Sequence, residues 1–570
     1  MRDFARMFEA IDATGSTSEK VAAMASYFGA RRDASAAWAL YFLSGQRLSR
    51  TIGSRVLARW ATERSGIPEW LFRDSYAAVG DLAETIALLM ESGGAGDTAD
   101  ADDVALVEWV EDRLASLKSM DESTQRERVM AWLGELGRTE RFLLIKMMTG
   151  AMRVGVSKGL VIKAIAKAAA IPETLVAERL MGEWKPSGAF MQRLMAAAGG
   201  GADGVAMRGS GPLPFALASP IEEAVGKGCA REKTAAEIHA TLGDIGGWLI
   251  EWKWDGIRAQ LVRRADAATA IWSRGEEVLT ERFPEILAAA ARLPAGTVLD
   301  GEVLAWRNDR PLPFATMQQR IGRTALSAKV LREAPVAMVA FDVLEVAGED
   351  VRALSLRERR ALLEKLVAAA GSERLRVSEV VRAGSWDEAA AMRAGSRERG
   401  VEGMMLKVLD REYVAGRVRG AWWKWKIEPR TFDGVLIYAE PGHGRRASLM
   451  TDYTLAVWDG AVPGTGNLVP VAKAYSGLTD AELVEMDAWI RGHSTQRFGV
   501  VRGVLPAQVF EIAYEGIARS GRHRGGVAVR FPRIVRWRKD KKAAQAETLG
   551  ALLALAGGGE AEEPGLFTQG

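Results

Sequence analysis

Cysteine and histidine are scarce in this chain. One cysteine, Cys229, occurs among the 570 residues, which excludes an internal disulfide and a cysteine-rich zinc site. The four histidines are scattered without the spacing of metal ligands. Each is therefore expected to have a structural or surface role: His239, His443, His493 and His523. The single thiol fits a reducing compartment.

Long apolar runs are also missing. No stretch of eighteen consecutive apolar residues occurs, so a membrane-spanning helix is not expected. The N-terminal residues Met1–Arg6 are charged and lead into no apolar segment, which argues against a secretory signal. We therefore expect a cytoplasmic protein with no membrane partner.

Charge is nearly balanced overall but unevenly placed. The formal net charge is +3, yet ten lysines and arginines lie between Arg519 and Lys542 against one acid, Asp540. Such a basic stripe favours a polyanionic partner, the alternative being a solvated basic strand. After Lys542 the chain has four glutamates and no lysine or arginine.

The chain is too long for one hydrophobic core, and its composition predicts four segments. Residues 1–207 have helical apolar spacing and end in a glycine- and proline-rich stretch, which predicts an all-helical domain. Residues 208–428 alternate strand-like runs with amphipathic segments and predict a mixed α+β domain. Residues 429–545 contain five short strand runs, which suit a small β-barrel such as the oligonucleotide-binding (OB) fold. The acidic segment 546–570 is expected to be flexible.

The stretch Glu251-Trp252-Lys253-Trp254-Asp255-Gly256-Ile257-Arg258 organises the middle segment. An apolar lead predicts a strand that ends at the Asp255-Gly256 turn signal. In a strand, Glu251, Lys253 and Asp255 lie on one face and the two tryptophans on the other. The alternative is an edge strand with a solvated face.

Other stretches of the middle segment have a similar design. Asp300-Gly301-Glu302 is expected to turn at its glycine and to point its acids outward, and Glu402-Gly403 repeats the pattern before Lys407. Period-two geometry places Lys424 and Lys426 on one strand face. Lysines that share a pocket repel one another unless an anion joins them, so a bound polyphosphate is indicated. The acids would then hold Mg²⁺, which prefers a few carboxylates plus substrate phosphates.

A loop of the helical segment carries a second candidate anion site. One helix is expected to stop near Gly150, and Ser157 is placed to cap the next. Free backbone N–H groups at a helix start, with Arg153 and Gly155 nearby, can hold a phosphate. Taken alone, the segment favours a plain connection between helices over a phosphate site.

Together these motifs resemble the ATP-dependent DNA ligases of bacteria. The hallmark K-x-D-G-x-R of that family occurs as Lys253, Asp255, Gly256 and Arg258. The remaining family motifs follow in order: Ser273-Arg274-Gly275, Asp300-Gly301-Glu302, Phe341-Asp342, Glu402-Gly403 with Lys407, Lys424 with Lys426, and Arg536-Trp537-Arg538-Lys539-Asp540-Lys541. Met152-Arg153-Val154-Gly155 resembles the signature of the ligase DNA-binding domain, which favours the phosphate site over the plain loop. The resemblance spans residues 1–545.

The resemblance implies a three-domain enzyme. Residues 1–207 would form the helical DNA-binding domain, residues 208–428 the adenylation domain with an ATP-grasp-like nucleotidyltransferase core, and residues 429–545 the OB-fold domain. Lys253 would take AMP from ATP, AMP would move to the 5′-phosphate of a nick, and the 3′-hydroxyl would displace it. The implied partners are ATP, Mg²⁺ or Mn²⁺, and nicked double-stranded DNA. The enzyme would be monomeric and nucleoid-associated in the cytoplasm.

The resemblance also implies residue roles. The implied catalytic residues are Lys253, Asp255, Lys424 and Lys426. The implied nucleotide contacts are Glu251 on the adenine amino group, Phe341 stacked on the base, and Arg258, Arg274, Glu302, Lys407, Arg538 and Lys541. Glu402 is the first candidate metal ligand and Glu302 the second. The implied DNA contacts are Arg153, Gly155, Arg533 and Arg536.

Rival functions remain at this point. An RNA ligase or a guanylyl-transferring capping enzyme shares the lysine chemistry, but the long helical domain and the Arg530–Arg533 segment argue against both. A non-catalytic DNA-binding scaffold is the rival from another class, and the intact Lys253, Glu402 and Lys426 argue against it. The tail residues Leu566-Phe567 are read either as a docking site for a protein partner or as disordered.

Overall fold

The computed structural model describes residues 1–91, 103–150, 152, 155–197, 211–224, 234–321, 323, 326–442, 449–475 and 477–556. The expectations for Arg153, Cys229, His443 and the tail after residue 556 therefore lie outside the described residues.

The chain divides into two compact units: Met1–Ile171, Lys185–Ala197 and Pro429–Glu563 form the first, and Pro172–Trp184, Ala198–Glu428 and Pro564–Gly570 the second. Among the described helices, none has the length and apolar content needed to cross a bilayer.

The N-terminal part of the first unit is helical, as predicted. Apolar residues that recur at helical spacing in the first helix, Phe4, Met7, Phe8 and Ile11, are all buried. The α-helices are Arg2–Asp12, Thr17–Ala30, Ala34–Leu43, Ser54–Ser65, Glu69–Val79, Leu82–Glu91, Leu106–Glu108, Glu122–Glu135, Arg138–Thr149, Lys158–Ala169 and Gly188–Leu194, with a π-helical turn at Trp109–Leu114 and a 3₁₀ turn at Leu117–Ser119.

The C-terminal part of the first unit is strand-rich, and all five predicted strand runs are confirmed. Its strands are Arg430–Pro441, Met450–Trp458, Leu468–Ala474, Ser494–Phe498, Val501–Val504, Val509–Tyr514, Gly516–Arg519, Val527–Arg530 and Arg533–Trp537. The long strand Arg430–Pro441 pairs with three others and forms the centre of the sheet. Its helices are Asp480–Gly492 and Leu549–Leu555, with a 3₁₀ turn at Ala543–Gln545. Neither helix was predicted from the sequence. The second lies within the segment 546–570 that was expected to be flexible, and that expectation is wrong for its described part, because Ala546 and Leu552 are fully buried.

The second unit is built on two antiparallel-dominated sheets, which confirms the predicted mixture of helices and strands. The first sheet has the order Ser219–Pro220, Trp422–Lys426, Val401–Val408, Trp248–Trp254. The second has the order Thr269–Ser273, Ile257–Arg263, Thr297–Arg307, Val336–Val346, Glu349–Asp350, with Arg310–Pro311 and Leu375–Val377 paired to its inner strands. The α-helices are Glu173–Arg179, Ala235–Leu242, Pro284–Ala290, Phe314–Ile321, Ala328–Glu333, Leu356–Ala370 and Trp386–Ala394, and 3₁₀ turns occur at Ile221–Glu223, Ile245–Gly247 and Thr280–Arg282.

The chain passes from the first sheet to the second at Asp255-Gly256. The strand before this point belongs to the first sheet and the strand after it to the second. A Cβ atom on Gly256 would lie 2.5 Å from the carbonyl oxygen of Val303 and 2.6 Å from Cδ2 of Leu304. Glycine is therefore required where the backbone crosses closely over the neighbouring strand.

The expectation for Asp300-Gly301-Glu302 was wrong on both counts. Residues Thr297–Arg307 form one continuous strand through Gly301, and Asp300 is fully buried instead of pointing outward. A Cβ atom on Gly301 would lie 2.7 Å from the carbonyl oxygen of Val339 on the adjacent strand. The glycine therefore serves close strand packing and not a turn.

A β-bulge at Glu402-Gly403 shapes the central strand of the first sheet. Val401 pairs with Trp254 and Met404 with Trp252, so two residues oppose Lys253 alone. The extra residue changes which side chains face the core, because both Val401 and Met404 are buried in the apolar cluster while Glu402 faces the other way. Gly403 has φ +130°, and a Cβ there would lie 2.3 Å from the carbonyl oxygen of Trp425.

Replacing Gly403 with alanine should destabilise the second unit by at least about 2 kcal/mol, because an L-residue is strained at this φ and its Cβ meets the backbone of the next strand. Gly247→Ala is the matched control, since a Cβ at Gly247 meets nothing within 4 Å. Denaturant unfolding of both variants measures the difference. Equal stability of Gly403→Ala and the control would contradict the bulge geometry.

Candidate active site

The predicted lysines and the predicted metal ligand meet on one face of the first sheet. Lys253 Nζ lies 2.5 Å from Oε2 of Glu402, and Lys426 Nζ lies 3.1 Å from the same oxygen. The three strands that carry them are adjacent, and their alternate residues, including Trp252, Trp423 and Trp425, pack in the apolar core behind the sheet. The predicted strand faces are thus confirmed. The Lys253 side chain is 22% exposed, so it remains open to a ligand.

Electrostatics couple the groups of this cluster. Burial raises the pKa of the Glu402 carboxyl, but the ammonium groups of Lys253 and Lys426 outweigh it and hold the pKa below its ordinary value. Burial, together with the positive charges of Lys426, Arg417 and Lys253, lowers the pKa of Lys424. The cluster therefore combines one ionised acid with several cations and suits a polyanionic ligand.

Glu302 lies on the second sheet, in register with Arg258 on the neighbouring strand. Burial raises the pKa of its carboxyl to about 7, against the opposing effect of Lys253 and Arg258, while the charges of Glu402 and Asp300 add to the rise. Glu302 and Glu402 therefore lie on different sheets but are close enough for their charges to interact with each other and with the charge of Lys253.

Glu251 forms a buried ion-pair network beside the lysine cluster. Its Oε1 accepts a hydrogen bond of 2.8 Å from Nη1 of Arg360, and its Oε2 lies 2.6 Å from Nζ of Lys407. The Lys407 ammonium lies 4.1 Å from the centre of the Phe341 ring. The structure thus brings together three predicted nucleotide contacts, Glu251, Lys407 and Phe341. The alternative of a solvated face is wrong here, because Glu251 is 1% exposed.

Arg258 is held by groups of its own protein. Its Nη2 lies 2.7 Å from Oδ2 of buried Asp300, and its Nη1 donates to the carbonyl oxygen of Ala216 at 2.6 Å. The hydroxyl of Tyr413 donates to Asp300 at 2.7 Å. The Arg258 guanidinium also lies 5.3 Å from the centre of the Phe341 ring. The polar groups of Arg258 are therefore bound within the second unit, and its contact with ribose or phosphate stays a prediction.

Two predicted site residues lie in connections. Arg274 follows the strand Thr269–Ser273 with an exposed side chain, and its backbone N–H donates to the carbonyl oxygen of Arg258 at 2.9 Å. Asp255 is half-buried at the crossing between the two sheets. Each residue directly follows a strand of the second unit, Asp255 after Trp248–Trp254 and Arg274 after Thr269–Ser273. Their roles stay predictions.

In the first unit, the predicted residues Arg538 and Lys541 converge on an acid that the sequence analysis missed. Nη1 of Arg538 lies 3.2 Å from both carboxylate oxygens of Asp433, and Lys541 Nζ lies 2.5 Å from Oδ2. Arg538 also binds Asp540 through two hydrogen bonds of 2.9 and 2.8 Å. The bonds from Arg538 lower the pKa of Asp540 to about 2. The end of the basic stripe is therefore ion-paired.

The predicted DNA contacts of the strand-rich part are paired in the same way. Nε of Arg536 lies 2.6 Å from Oε2 of Glu511, and Nη1 of Arg533 lies 3.9 Å from Oε1 of Glu515. Arg536 remains 60% exposed, so a phosphate could compete with the acid for its remaining N–H groups. Both arginines are largely exposed, so the alternative of a solvated basic strand also fits this geometry, and their role in DNA binding stays a prediction.

The predicted phosphate loop of the helical part is described only in part. Arg153 lies outside the described residues. Gly155 has φ +65°, and its carbonyl oxygen accepts a hydrogen bond of 3.2 Å from Lys20. The helix after it begins at Lys158 with Ser157 at the N-cap position, as predicted, but the Ser157 side chain makes no capping hydrogen bond. Its role in DNA binding stays a prediction.

The metal-binding capacity of the site is limited to few carboxylates. Within the described ranges, no three acidic, histidine or cysteine side chains are grouped so that they could hold a metal ion. Glu402 and Glu302 remain as two acids, and Mg²⁺ is often bound by one or two carboxylates plus substrate phosphates. The donor set therefore fits a divalent cation that arrives together with a nucleotide.

A partly exposed lysine, paired with an acid that also binds a second lysine in a two-sheet unit, fits the class of nucleotidyltransferases that form a lysyl-nucleotide. Three family models match the chain in order. The DNA ligase N terminus matches residues 1–166, the ATP dependent DNA ligase domain residues 231–426, and the ATP dependent DNA ligase C terminal region residues 446–541. The chain belongs to the ATP-dependent DNA ligase family, whose members are enzymes that form phosphodiester bonds.

Relatives of similar length support this membership. A probable DNA ligase of Koribacter versatilis is 34% identical over 579 residues, covering 96% of this chain and 95% of the relative. One from an Anaeromyxobacter species (strain Fw109-5) is 34% identical over 474 residues, covering 80% and 85%. A solved structure described as Pmar-Lig_PreS3 has a TM-score of 0.57 at 15% identity and covers 94% of this chain and 99% of that one, which shows a shared fold. The predicted fold class and the predicted DNA ligase function are confirmed.

The residues that the sequence analysis missed share one property. Three of them contact predicted site residues from distant parts of the chain: Arg360, Asp433 and Glu511. The fourth, Tyr413, bonds to Asp300, which in turn holds Arg258. No motif spacing marks them. Their contacts with the site join residues that are distant in sequence, so these contacts could be found only from the folded structure.

The stability of the second unit should depend on pH through Glu302. Because its pKa in the folded protein is about 7, above the ordinary value of 4.5, the unfolded chain releases this proton first as pH rises. The contribution of Glu302 to the free energy of unfolding therefore decreases as the pH rises from about 4.5 to about 7. Without metal, Glu302→Gln should gain about 1–3 kcal/mol relative to the wild type between pH 5 and pH 8.

Denaturant unfolding in a chelating buffer at both pH values measures this gain. Glu349→Gln, in an exposed strand of the same sheet, is the control and should show no such change. A pH-independent difference between Glu302→Gln and the wild type would show that the carboxyl titrates normally.

Proposed function

We propose that this protein seals nicks in double-stranded DNA with ATP, using Lys253 as the group that carries AMP. The observation that supports this most is the convergence of Lys253 and Lys426 on one carboxylate oxygen of Glu402, on an open sheet face. Such a cluster gives a polyphosphate both its nucleophile and its counter-charges. We further propose that the enzyme acts as a monomer in the cytoplasm, associated with the nucleoid.

In the first step, Nζ of Lys253 attacks the α-phosphorus of ATP. The ammonium must first lose its proton, and solvent reaches Nζ because the side chain is 22% exposed. A bond forms from nitrogen to phosphorus while the bond to the β-phosphate oxygen breaks, and pyrophosphate leaves. Lys424 and Lys426 offset the negative charge on the phosphates.

The adenine base and the ribose bind beside the ion-pair network of Glu251, Arg360 and Lys407. Glu251 accepts the adenine amino group and Phe341 stacks on the base, with Lys407 behind both. Arg258 and Arg274 serve the ribose and phosphate positions. The support for this assignment is that Glu251, Lys407 and Phe341 lie together in the second unit.

Glu402 and Glu302 would hold Mg²⁺, or Mn²⁺, together with the substrate phosphates. The bound cation would supply charge neutralisation at the phosphates. The two acids fit this role because one is ionised beside the lysines and the other has a pKa near neutrality.

In the later steps AMP moves to the 5′-phosphate of the nick, and the 3′-hydroxyl then displaces AMP. Both transfers need in-line geometry and charge neutralisation more than acid–base chemistry. Arg153, Gly155, Arg533 and Arg536 would position the duplex through its phosphates. Their support is the exposed guanidinium of Arg536 and the helix start at Lys158.

Arg538, Asp540 and Lys541 would act in the first step alone, by orienting the departing pyrophosphate. This requires that Arg538 and Lys541 leave Asp433, to which both are paired. Residues 427–431, at the division between the two units, would act as the hinge.

Sealing of a labelled nicked duplex tests the proposed function. Wild type and Lys329→Ala, which removes an exposed lysine of the same unit, should seal the nick with ATP and Mg²⁺. Lys253→Ala should lose at least about a thousandfold in rate, because no other group can carry AMP. Sealing by Lys253→Ala at the control rate would overturn the proposal, and a preference for RNA strands or GTP would support the rival functions.

Arg538→Ala should separate the steps. We expect at least about a hundredfold loss of self-adenylylation but near-normal sealing of a nick that already carries AMP, because the charge on pyrophosphate develops only in the first step. Lys539→Ala, which removes the neighbouring lysine paired with Glu485, is the control. Equal loss of both activities in Arg538→Ala would contradict a role confined to the first step.

A further inference from the structure

A largely buried arginine outside the family motifs pairs with Glu251, the carboxylate proposed to bind the base. Arg360 lies on the helix Leu356–Ala370, and its side chain is 11% exposed. Its Nη1 donates to Oε1 of Glu251 at 2.8 Å, and its Nη2 donates to the carbonyl oxygen of Ser378 at 2.7 Å. Nε donates to Glu364 at 2.7 Å. The guanidinium thus uses all three nitrogens in one fixed orientation.

The carbonyl that Arg360 binds belongs to a segment that connects both walls of the base pocket. The N–H of Ser378 donates to the carbonyl of Ala340, the residue before Phe341, at 2.7 Å. Three residues later, the N–H of Val381 donates to the carbonyl of Ile250, the residue before Glu251, at 2.8 Å. Arg360 therefore fixes the Glu251 side chain to the backbone segment that also sets the position of Phe341.

The Glu251 carboxylate is clamped from both sides. Arg360 occupies Oε1, and Lys407 lies 2.6 Å from Oε2. Two cations offset the cost of burying one carboxylate, which alone would be several kcal/mol. Each carboxylate oxygen has two lone pairs, so a further donor can still bind after both cations are in place. A carboxylate held in this way accepts the amino group of adenine but can only repel the carbonyl oxygen that guanine has at the same position.

From this geometry we propose that Arg360 is a positioning residue for base selection: it orients Glu251 so that the enzyme favours a purine triphosphate with a 6-amino group. The inference rests on the proposed role of Glu251. In the described part of the chain, the guanidinium of Arg360 bonds to Glu251, Ser378 and Glu364 and not to Lys253, Lys424 or Lys426. Its loss should therefore affect recognition of the base and leave the transfer of AMP to Lys253 largely unchanged.

Self-adenylylation with two triphosphates tests this. One is ATP, and the other is purine riboside triphosphate, which lacks the 6-amino group. Arg360→Met keeps the stem of the side chain and removes the guanidinium. We expect kcat/KM for ATP to fall about ten- to hundredfold, mainly through KM, while the value for the analogue falls less than about threefold. Arg360→Lys, which restores one charge, should recover part of the discrimination.

Arg357→Met is the matched control, because Arg357 lies on the same helix, is 59% exposed and pairs with Asp410 at the surface. It should match the wild type with both triphosphates. An equal loss with both triphosphates in Arg360→Met and Arg360→Lys would assign Arg360 a purely structural role and overturn the inference. Unchanged discrimination in both variants would do the same.

Glu251→Gln, measured in parallel, separates this inference from the proposed function. If Glu251→Gln keeps the preference for ATP over the analogue, the role of Glu251 itself is wrong. If Glu251→Gln loses the preference but Arg360→Met retains it, only the role of Arg360 is wrong. In the double variant, Arg360→Met should add no further change to the ratio, because both residues act on the same amino group.

Discussion

The second unit depends on one ionic contact, the Glu402 carboxylate between the ammonium groups of Lys253 and Lys426. Without the acid, the two lysines, which lie on the strands to either side of the Glu402 strand, would repel each other across a partly buried surface. The contact exists because a bulge at Gly403 turns Glu402 out of the core, and the bulge exists because glycine alone tolerates φ +130° so close to Trp425. The chemistry of the site thus follows from a backbone irregularity of one residue.

The same arrangement occurs in the first unit. Asp433 holds Arg538 and Lys541, as Glu402 holds Lys253 and Lys426. In each case protein carboxylates neutralise cations that would otherwise face one another, and a phosphate group can take over the same cations when it binds. Such pairs keep the free protein stable, and a ligand must compete with them, which lowers affinity but favours ligands with several negative charges.

Much of this could be predicted from the sequence, and the failures have physical reasons. Period-two geometry placed Trp252 and Lys253 on opposite faces, because that strand is regular. It could not place Glu402, because the bulge shifts the alternation. Gly301 was misread as a turn because the sequence does not reveal how closely the next strand approaches. Arg360 and Asp433 were missed because their partners are distant in the chain and become neighbours only through folding.

The nature of the bond at Lys253 remains the central claim. Incubation of wild-type protein with ATP and Mg²⁺, followed by proteolysis and mass spectrometry under conditions that preserve the acid-labile bond, locates the modification directly. The account predicts one AMP, on the peptide that contains Lys253. AMP on Lys424 or Lys426 instead, or no covalent AMP on a preparation that seals nicks, would contradict it.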